Sequence, residues 1–178
     1  MISNALVKRL IPAMAIAACV AIGAPLSTLA QGTPGLTIFS GVDRENLLSY
    51  RLDFNGRPHA FDRYRLNISR RKMNRAVTEF TVTYPDYYTG RFNPSRMEVR
   101  VNGDSVPLDE VVWDEEAREI KLYPVEVVQP NQDVEIVFSN VRNPRIGGTY
   151  YFNALTRSSD DLPLRRYLGT WIIDIGRP

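Results

Sequence analysis

From Leu36 onward apolar and polar side chains alternate with a period of two rather than 3.6, and this alternation predicts strands. Tyr50, Leu52 and Phe54 alternate with Arg51 and Asp53, and Tyr64, Leu66 and Ile68 alternate with Arg63, Arg65 and Asn67. Phe80, Val82 and Tyr84 follow the same rule with Glu79, Thr81 and Thr83. Met97, Val99 and Val101 do so with Glu98 and Arg100, before Asn102-Gly103 supplies a hairpin turn. Val111–Trp113 and Ile120–Tyr123 flank the polar turn Asp114–Arg118; Val134–Phe138, Tyr150–Leu155 and Leu168–Ile175 complete the set. Each segment offers one apolar face, and no amphipathic stretch of helical length separates them. The expectation is an all-β, antiparallel, immunoglobulin-like sandwich of about seven to nine strands. Short helical turns are expected at Asp43–Leu48 and Arg70–Val77, where strand propensity lapses. Pro85, Pro124, Pro130 and Pro144 fall at the ends of apolar runs, where a missing amide donor costs least.

The first 30 residues read differently. Met1–Arg9 ends in Lys8 and Arg9, an apolar run follows from Leu10 to Ala24, and Thr28-Leu29-Ala30 offers small side chains at a cleavage site. This is the pattern of a secretory signal cut after Ala30, followed by a linker over residues 31–46 and a sandwich domain over 47–178. The apolar run, interrupted at Pro12, is nearer about 15 than 20 residues and too short for a spanning anchor. The alternative is lipidation: Ile16-Ala17-Ala18-Cys19 resembles a lipobox, although Val20-Ala21-Ile22 stays apolar where lipoproteins turn polar. Cys19 is the only cysteine, so cleavage after Ala30 leaves no disulfide, cysteine nucleophile or thiolate metal site.

Charge narrows the picture further. The chain holds 22 basic and 20 acidic residues, and loss of Lys8 and Arg9 brings the two into balance, which removes a global case for nucleic-acid binding. The distribution is uneven: residues 41–100 hold 12 basic and 7 acidic side chains, 101–140 hold 2 and 10, and 141–178 hold 6 and 3. Cross-strand Arg/Glu pairing is the expected use of these charges, with opposite-sign faces the alternative.

Candidate chemistry is sparse. His59 is the only histidine and, without thiolates, makes no usual zinc or copper site; it reads as a turn residue. No Ser sits in a Gly-x-Ser-x-Gly turn. Met73 and Met97 are too few for a copper carrier, and neither Asp160-Asp161 nor Asp114, Glu115 and Glu116 matches a calcium loop. No catalytic residue, metal or cofactor is therefore expected. Two clusters point to binding. Arg70, Arg71, Lys72 and Arg75 form an anion-binding candidate, with lipid headgroups of an adjacent membrane as one target. The loop Tyr84–Pro94 gathers Tyr84, Tyr87, Tyr88, Arg91 and Phe92, which can stack on sugars, anchor a partner or fold back over the core. Adjacent Tyr87 and Tyr88 cannot both point inward from an extended segment. Trp113 and Trp171 lie in strand patterns and are expected in the core.

Asn143-Pro144, Gly147-Gly148-Thr149-Tyr150-Tyr151-Phe152 and Leu168-Gly169-Thr170-Trp171-Ile172-Ile173-Asp174-Ile175 resemble the end of an exported cyanobacterial family, the domain of unknown function family 2808. The resemblance extends upstream through Val134–Phe138 and Glu119–Leu122 and covers Leu47–Ile175. One segment departs from it: Ser69–Arg75 stands where the family has a Pro- and Gly-containing acidic stretch, which puts a shared ligand surface there in doubt. The resemblance implies a secreted, periplasmic or thylakoid-lumenal protein and no reaction. The expected function is that of an exported, non-enzymatic interaction or scaffold module with a protein partner. The alternatives are a carbohydrate-binding module for envelope polysaccharide and, behind it, an unrecognised hydrolase.

Overall fold

The computed structural model describes residues 41–158 and 164–176; the expected leader, Cys19, most of the linker and Asp160-Asp161 lie outside them. Among the described residues ten strands follow one another: β1 (Tyr50–Leu52), β2 (Phe61–Ile68), β3 (Glu79–Thr83), β4 (Met97–Val101), β5 (Asp104–Val106), β6 (Leu108–Asp114), β7 (Glu119–Pro124), β8 (Val134–Arg142), β9 (Gly148–Arg157) and β10 (Arg166–Ile175). They form two five-stranded antiparallel sheets, ordered β1-β2-β8-β4-β5 and β10-β9-β3-β7-β6. The architecture is the immunoglobulin-like sandwich that the alternation predicts. The tenth strand is β5, the return arm of the Asn102-Gly103 hairpin. Its polar Asp104-Ser105 gives no alternation to read, but both turn residues take positive φ and Val101 pairs directly with Asp104. The expected helical turns are smaller than a helix: a 3-10 turn at Arg44–Asn46, and two successive turns closed by Lys72 N–H to Ser69 and Met73 N–H to Arg70.

Alternation places the core. Tyr64, Leu66, Ile68, Val99, Ile136 and Phe138 from the first sheet face Phe80, Val82, Ile120, Leu122, Phe152, Trp171 and Ile173 from the second, all buried. Trp171 also ties the sheets together, because its indole N–H donates to the Asn67 carbonyl at 3.1 Å. Trp113, on the edge strand β6, is only partly buried.

The chain enters through a crossing between sheets. Leu47 bridges Thr170 in parallel, and Leu48 N–H donates to the Thr170 carbonyl at 2.9 Å; only then does β1 join β2 in the other sheet. This covers the outer edge of β10, which would otherwise offer unpaired backbone groups. The close approach requires a glycine: a Cβ on Gly169 would lie 2.5 Å from the Asn46 carbonyl oxygen and 2.8 Å from Leu48 Cγ. A register shift between Tyr167 and Gly169 places the glycine there.

The outer faces are held by charge. On the first sheet an alternating ladder crosses the strands: Asp53 takes Arg65 at 3.0 Å, Arg65 reaches Glu135 at 3.2 Å, Arg100 reaches Glu135 at 3.5 Å, and Arg100 also pairs with Glu98. On the second sheet Arg165 arches over the strands to Glu79 at 3.5 Å and Glu119 at 3.3 Å, while Arg157 reaches Glu79 at 3.4 Å. The Arg165 guanidinium, helped by Lys121, holds the Glu119 carboxyl below its usual range.

Two predictions follow from this framework. Gly169→Ala should cost about 1–3 kcal/mol through overpacking, read as a lower urea midpoint with an unchanged slope. The depressed Glu119 carboxyl contributes stability above its unfolded pKa and loses it as pH falls through the lower folded value. Arg165→Gln should therefore lower the melting temperature at neutral pH, and the gap to wild type should narrow as the medium is acidified below the ordinary glutamate range.

Candidate interaction surface

Four loops gather at one end of the sandwich, following β1, β3, β6 and β8, and the backbone stitches them together. Tyr84 N–H donates to the Arg118 carbonyl, His59 N–H to Pro144, Arg91 and Arg142 exchange both bonds, and Gly176 N–H donates to Gly56. A buried carboxylate organises this end. Asp62 lies on the inward face of β2 and is almost wholly buried. Its Oδ1 accepts the amides of Phe54 at 2.9 Å and Arg63 at 2.7 Å, and its Oδ2 accepts Gly56 N–H at 2.8 Å. Buried Asn143 stands beside it: its side-chain amide donates to the Arg57 carbonyl at 2.9 Å, and its Oδ1 accepts the Tyr64 hydroxyl at 2.6 Å. Phe54, Gly56 and Arg57 of the β1–β2 loop are thereby tied to buried polar side chains. The loop also uses positive φ at Asn55, Gly56 and His59, and a Cβ on Gly56 would lie 2.7 Å from Leu52 Cδ1.

This fixed loop holds large apolar side chains in water. Phe54 is 55% exposed, Phe61 54%, and Ile146 in the neighbouring β8–β9 loop 79%, the highest value among the exposed large apolar residues. Around them stand Arg57, His59 and Arg145, all exposed, and Arg142, whose guanidinium lies over the Phe61 ring at 5.4 Å and meets His59 Nε2 at 2.8 Å. Residues 54–61 and 141–148 contain no Asp or Glu, and the carboxylates that adjoin them in sequence are engaged, Asp62 by backbone amides and Asp53 by Arg65. The result is an apolar patch with uncompensated positive charge.

The aromatic loop divides between core and surface. Tyr88 and Phe92 are buried, stacked on each other at 5.3 Å and set edge-on to Phe152. Tyr84 is half-buried and accepts the Trp113 indole N–H at 2.8 Å. Tyr87 is 52% exposed and stacks on Tyr150, and Arg91 lies over Trp113 while meeting Glu115 at 3.5 Å. Burial pushes the Tyr64 and Tyr88 hydroxyls well above the usual phenol range, and the two are hydrogen-bonded at 3.1 Å. A recess of about 210 Å³ lies between this loop and the β6–β7 turn, lined in part by Tyr84, Arg91, Trp113 and Glu115.

The basic cluster lies at the opposite end, in the β2–β3 connection. Arg70 is committed to Asp133, with Nε at 2.9 Å and its backbone amide at 2.8 Å, and this guanidinium holds the Asp133 carboxyl below its usual range. Lys72 Nζ donates to Asn46 Oδ1 at 3.2 Å. Arg71 and Arg75 are exposed. Arg70 and Asp133 line an open groove of about 590 Å³ on the outer side of the first sheet. A third hollow, about 370 Å³, lies beside the β4–β5 hairpin and includes Val106, Pro107 and Val127. Among the described residues no three His, Cys, Asp or Glu side chains cluster as a metal site, and no helix is long and apolar enough to cross a membrane.

The family described as "Protein of unknown function (DUF2808)" matches residues 36–175. The chain belongs to that family. The DUF2808 match begins upstream of Leu47 and so includes Asn46 and Leu47, which pack against β10. No curated protein matches the sequence. Among solved structures the DUF2808 chain is similar to BslA, a bacterial hydrophobin, at 15% identity and a TM-score of 0.48, over 73% of this chain and 97% of that one. It is similar to the collagen-binding domain of a Staphylococcus aureus adhesin at 8% identity and a TM-score of 0.40, over 72% and 95%. An uncharacterized Nocardia farcinica protein with an immunoglobulin-like fold gives 12% and 0.44, over 74% and 99%.

Sequence reasoning missed the Phe54, Phe61 and Ile146 patch, although a signal was present. Phe61 breaks the alternation of β2, since Asp62, Tyr64, Leu66 and Ile68 are the inward residues and Phe61 therefore faces out. The two adjacent tyrosines separate cleanly in energy. Tyr88→Ala should cost about 3–5 kcal/mol of stability. Tyr87→Ala should change it by about 0.5 kcal/mol or less, both read from chemical denaturation.

Proposed function

We propose that the protein is an exported, non-enzymatic interaction module that docks through the end of the sandwich carrying Phe54, Phe61 and Ile146. The observation that carries this reading is the combination of a loop clamped by a buried carboxylate with apolar side chains held in solvent. Ordering a loop before binding lowers the entropy cost of association, and burying Asp62 to do so is expensive unless the shape of the loop matters. Export rests on the leader pattern of residues 1–30. The reading as an interaction module is supported by the sparseness of catalytic groups: the sole histidine sits on the patch beside an arginine, with no nucleophile hydrogen-bonded to it among the described residues. Carbohydrate recognition ranks lower, because Tyr88 and Phe92 are given over to the core and leave Tyr87 and Arg91 as the exposed members of that loop.

A photoreactive phenylalanine analogue at position 61 or 146, introduced in the native cells, should give defined adducts on irradiation. The same analogue at Val112, on the far edge of the other sheet, should give none. Equal adduct patterns at all three positions would defeat the docking reading.

A further inference from the structure

We infer that the docking end engages the surface of an anionic lipid bilayer, a partner class that rests on the docking reading above. Three features of the patch select this occupant. First, the apolar side chains protrude. Phe54 and Phe61 stand on the two limbs of one loop, the Phe54 amide bound by Asp62 next to Phe61, and Ile146 stands on the adjoining loop. Their exposure, 55%, 54% and 79%, leaves them available to enter a soft surface. Second, the two loops that carry them bear one sign. Arg57 and Arg145 lie on these loops and Arg142 directly before the second, residues 54–61 and 141–148 contain no Asp or Glu, and of the adjoining carboxylates Asp62 accepts backbone amides, Asp53 pairs with Arg65 and Asp174 accepts the Thr149 hydroxyl. Uncompensated guanidinium beside exposed apolar side chains matches the boundary of an anionic membrane, where phosphate oxygens lie directly above acyl chains. Third, one cation is placed directly at a ring. The Arg142 guanidinium lies over Phe61, so the ring enters the acyl boundary as the cation meets the headgroup level. In the basic cluster at the opposite end, by contrast, Arg70 is neutralised by Asp133.

Both elements of reversible membrane attachment are present in one patch, and neither suffices alone. Attachment should therefore need the apolar side chains and the charges together, should weaken with salt, and should leave the fold unchanged.

The test is flotation of the purified protein with vesicles of phosphatidylcholine alone or mixed with phosphatidylglycerol, with soluble glycerol phosphate as a competitor. We expect binding to the mixed vesicles, weak binding to the neutral ones, and little competition by free phosphate ester. Arg57→Gln and Arg145→Gln should each weaken binding about fivefold, and about twenty-five-fold together. Phe61→Ser with Ile146→Ser should abolish binding even at low salt. Arg71→Gln, at the other end, should leave it unchanged. Melting curves confirm that these exposed variants stay folded. Equal binding to neutral and anionic vesicles, full competition by glycerol phosphate, or equal loss on Arg71→Gln would overturn the lipid assignment. Absence of vesicle binding together with protein adducts at position 61 in cells would overturn it while preserving the docking reading. Absence of both would remove the two together.

Discussion

A single buried carboxylate organises one end of the sandwich. Asp62 occupies an inward position of β2 where the alternation asks for an apolar side chain, and it is tolerated because three backbone amides and Asn143 surround it. A charge so placed is costly unless its hydrogen bonds are made, and once made they fix everything that supplies them. The β1–β2 loop supplies two of the amides, and Asn143 carries the effect into the β8–β9 loop and, through Tyr64, to the Tyr88 hydroxyl. The β1–β2, β3–β4 and β8–β9 loops are therefore joined through one buried hydrogen-bonded network anchored to the core.

The walls of the sandwich have a different character. Both outer faces are covered by ion pairs that alternate in sign from strand to strand, and their carboxylates and guanidiniums serve one another. Individual pairs of this kind contribute modestly when exposed. With the walls neutralised, Arg57 and Arg145 of the β1–β2 and β8–β9 loops stand outside these ladders, beside exposed Phe54, Phe61 and Ile146.

Much of the fold was legible in the sequence, because half-buried strands write their two faces directly into the residue order. Nine of the ten strands announce themselves by alternation, and the Asn102-Gly103 pair announces the hairpin around the tenth. The partition of Tyr87 and Tyr88 was also legible as a constraint, since neighbouring side chains take opposite sides, but which ring turns inward depends on Phe92 and Phe152, distant in sequence. The exposed patch of Phe54, Phe61 and Ile146 was not legible. Phe54 reads as the last apolar residue of a strand until Asp62 is seen to pull the chain into a turn at that point, and Arg142 and Phe61 are 81 residues apart and meet only in the β2–β8 pairing. The Arg70 cluster reads as free charge because its counter-ion, Asp133, lies in the β7–β8 connection and is brought alongside only by folding.

The charge ladder on the first sheet has a rotational consequence. From Gln31 onward the chain has no net charge, so a distant charged surface exerts almost no pull on the molecule as a whole. Charges locked into alternating rows cancel within a few ångströms and add little to the far field, whereas the arginines at the loop end and the acidic side chains of Asp104, Asp109 and Glu110 along β5 and β6 have no such cancellation. These two groups contribute a dipole component fixed in the frame of the sandwich. Such a component exerts a torque in a field without any net pull, so a negatively charged plane would tend to turn those arginines toward itself before it drew the molecule in.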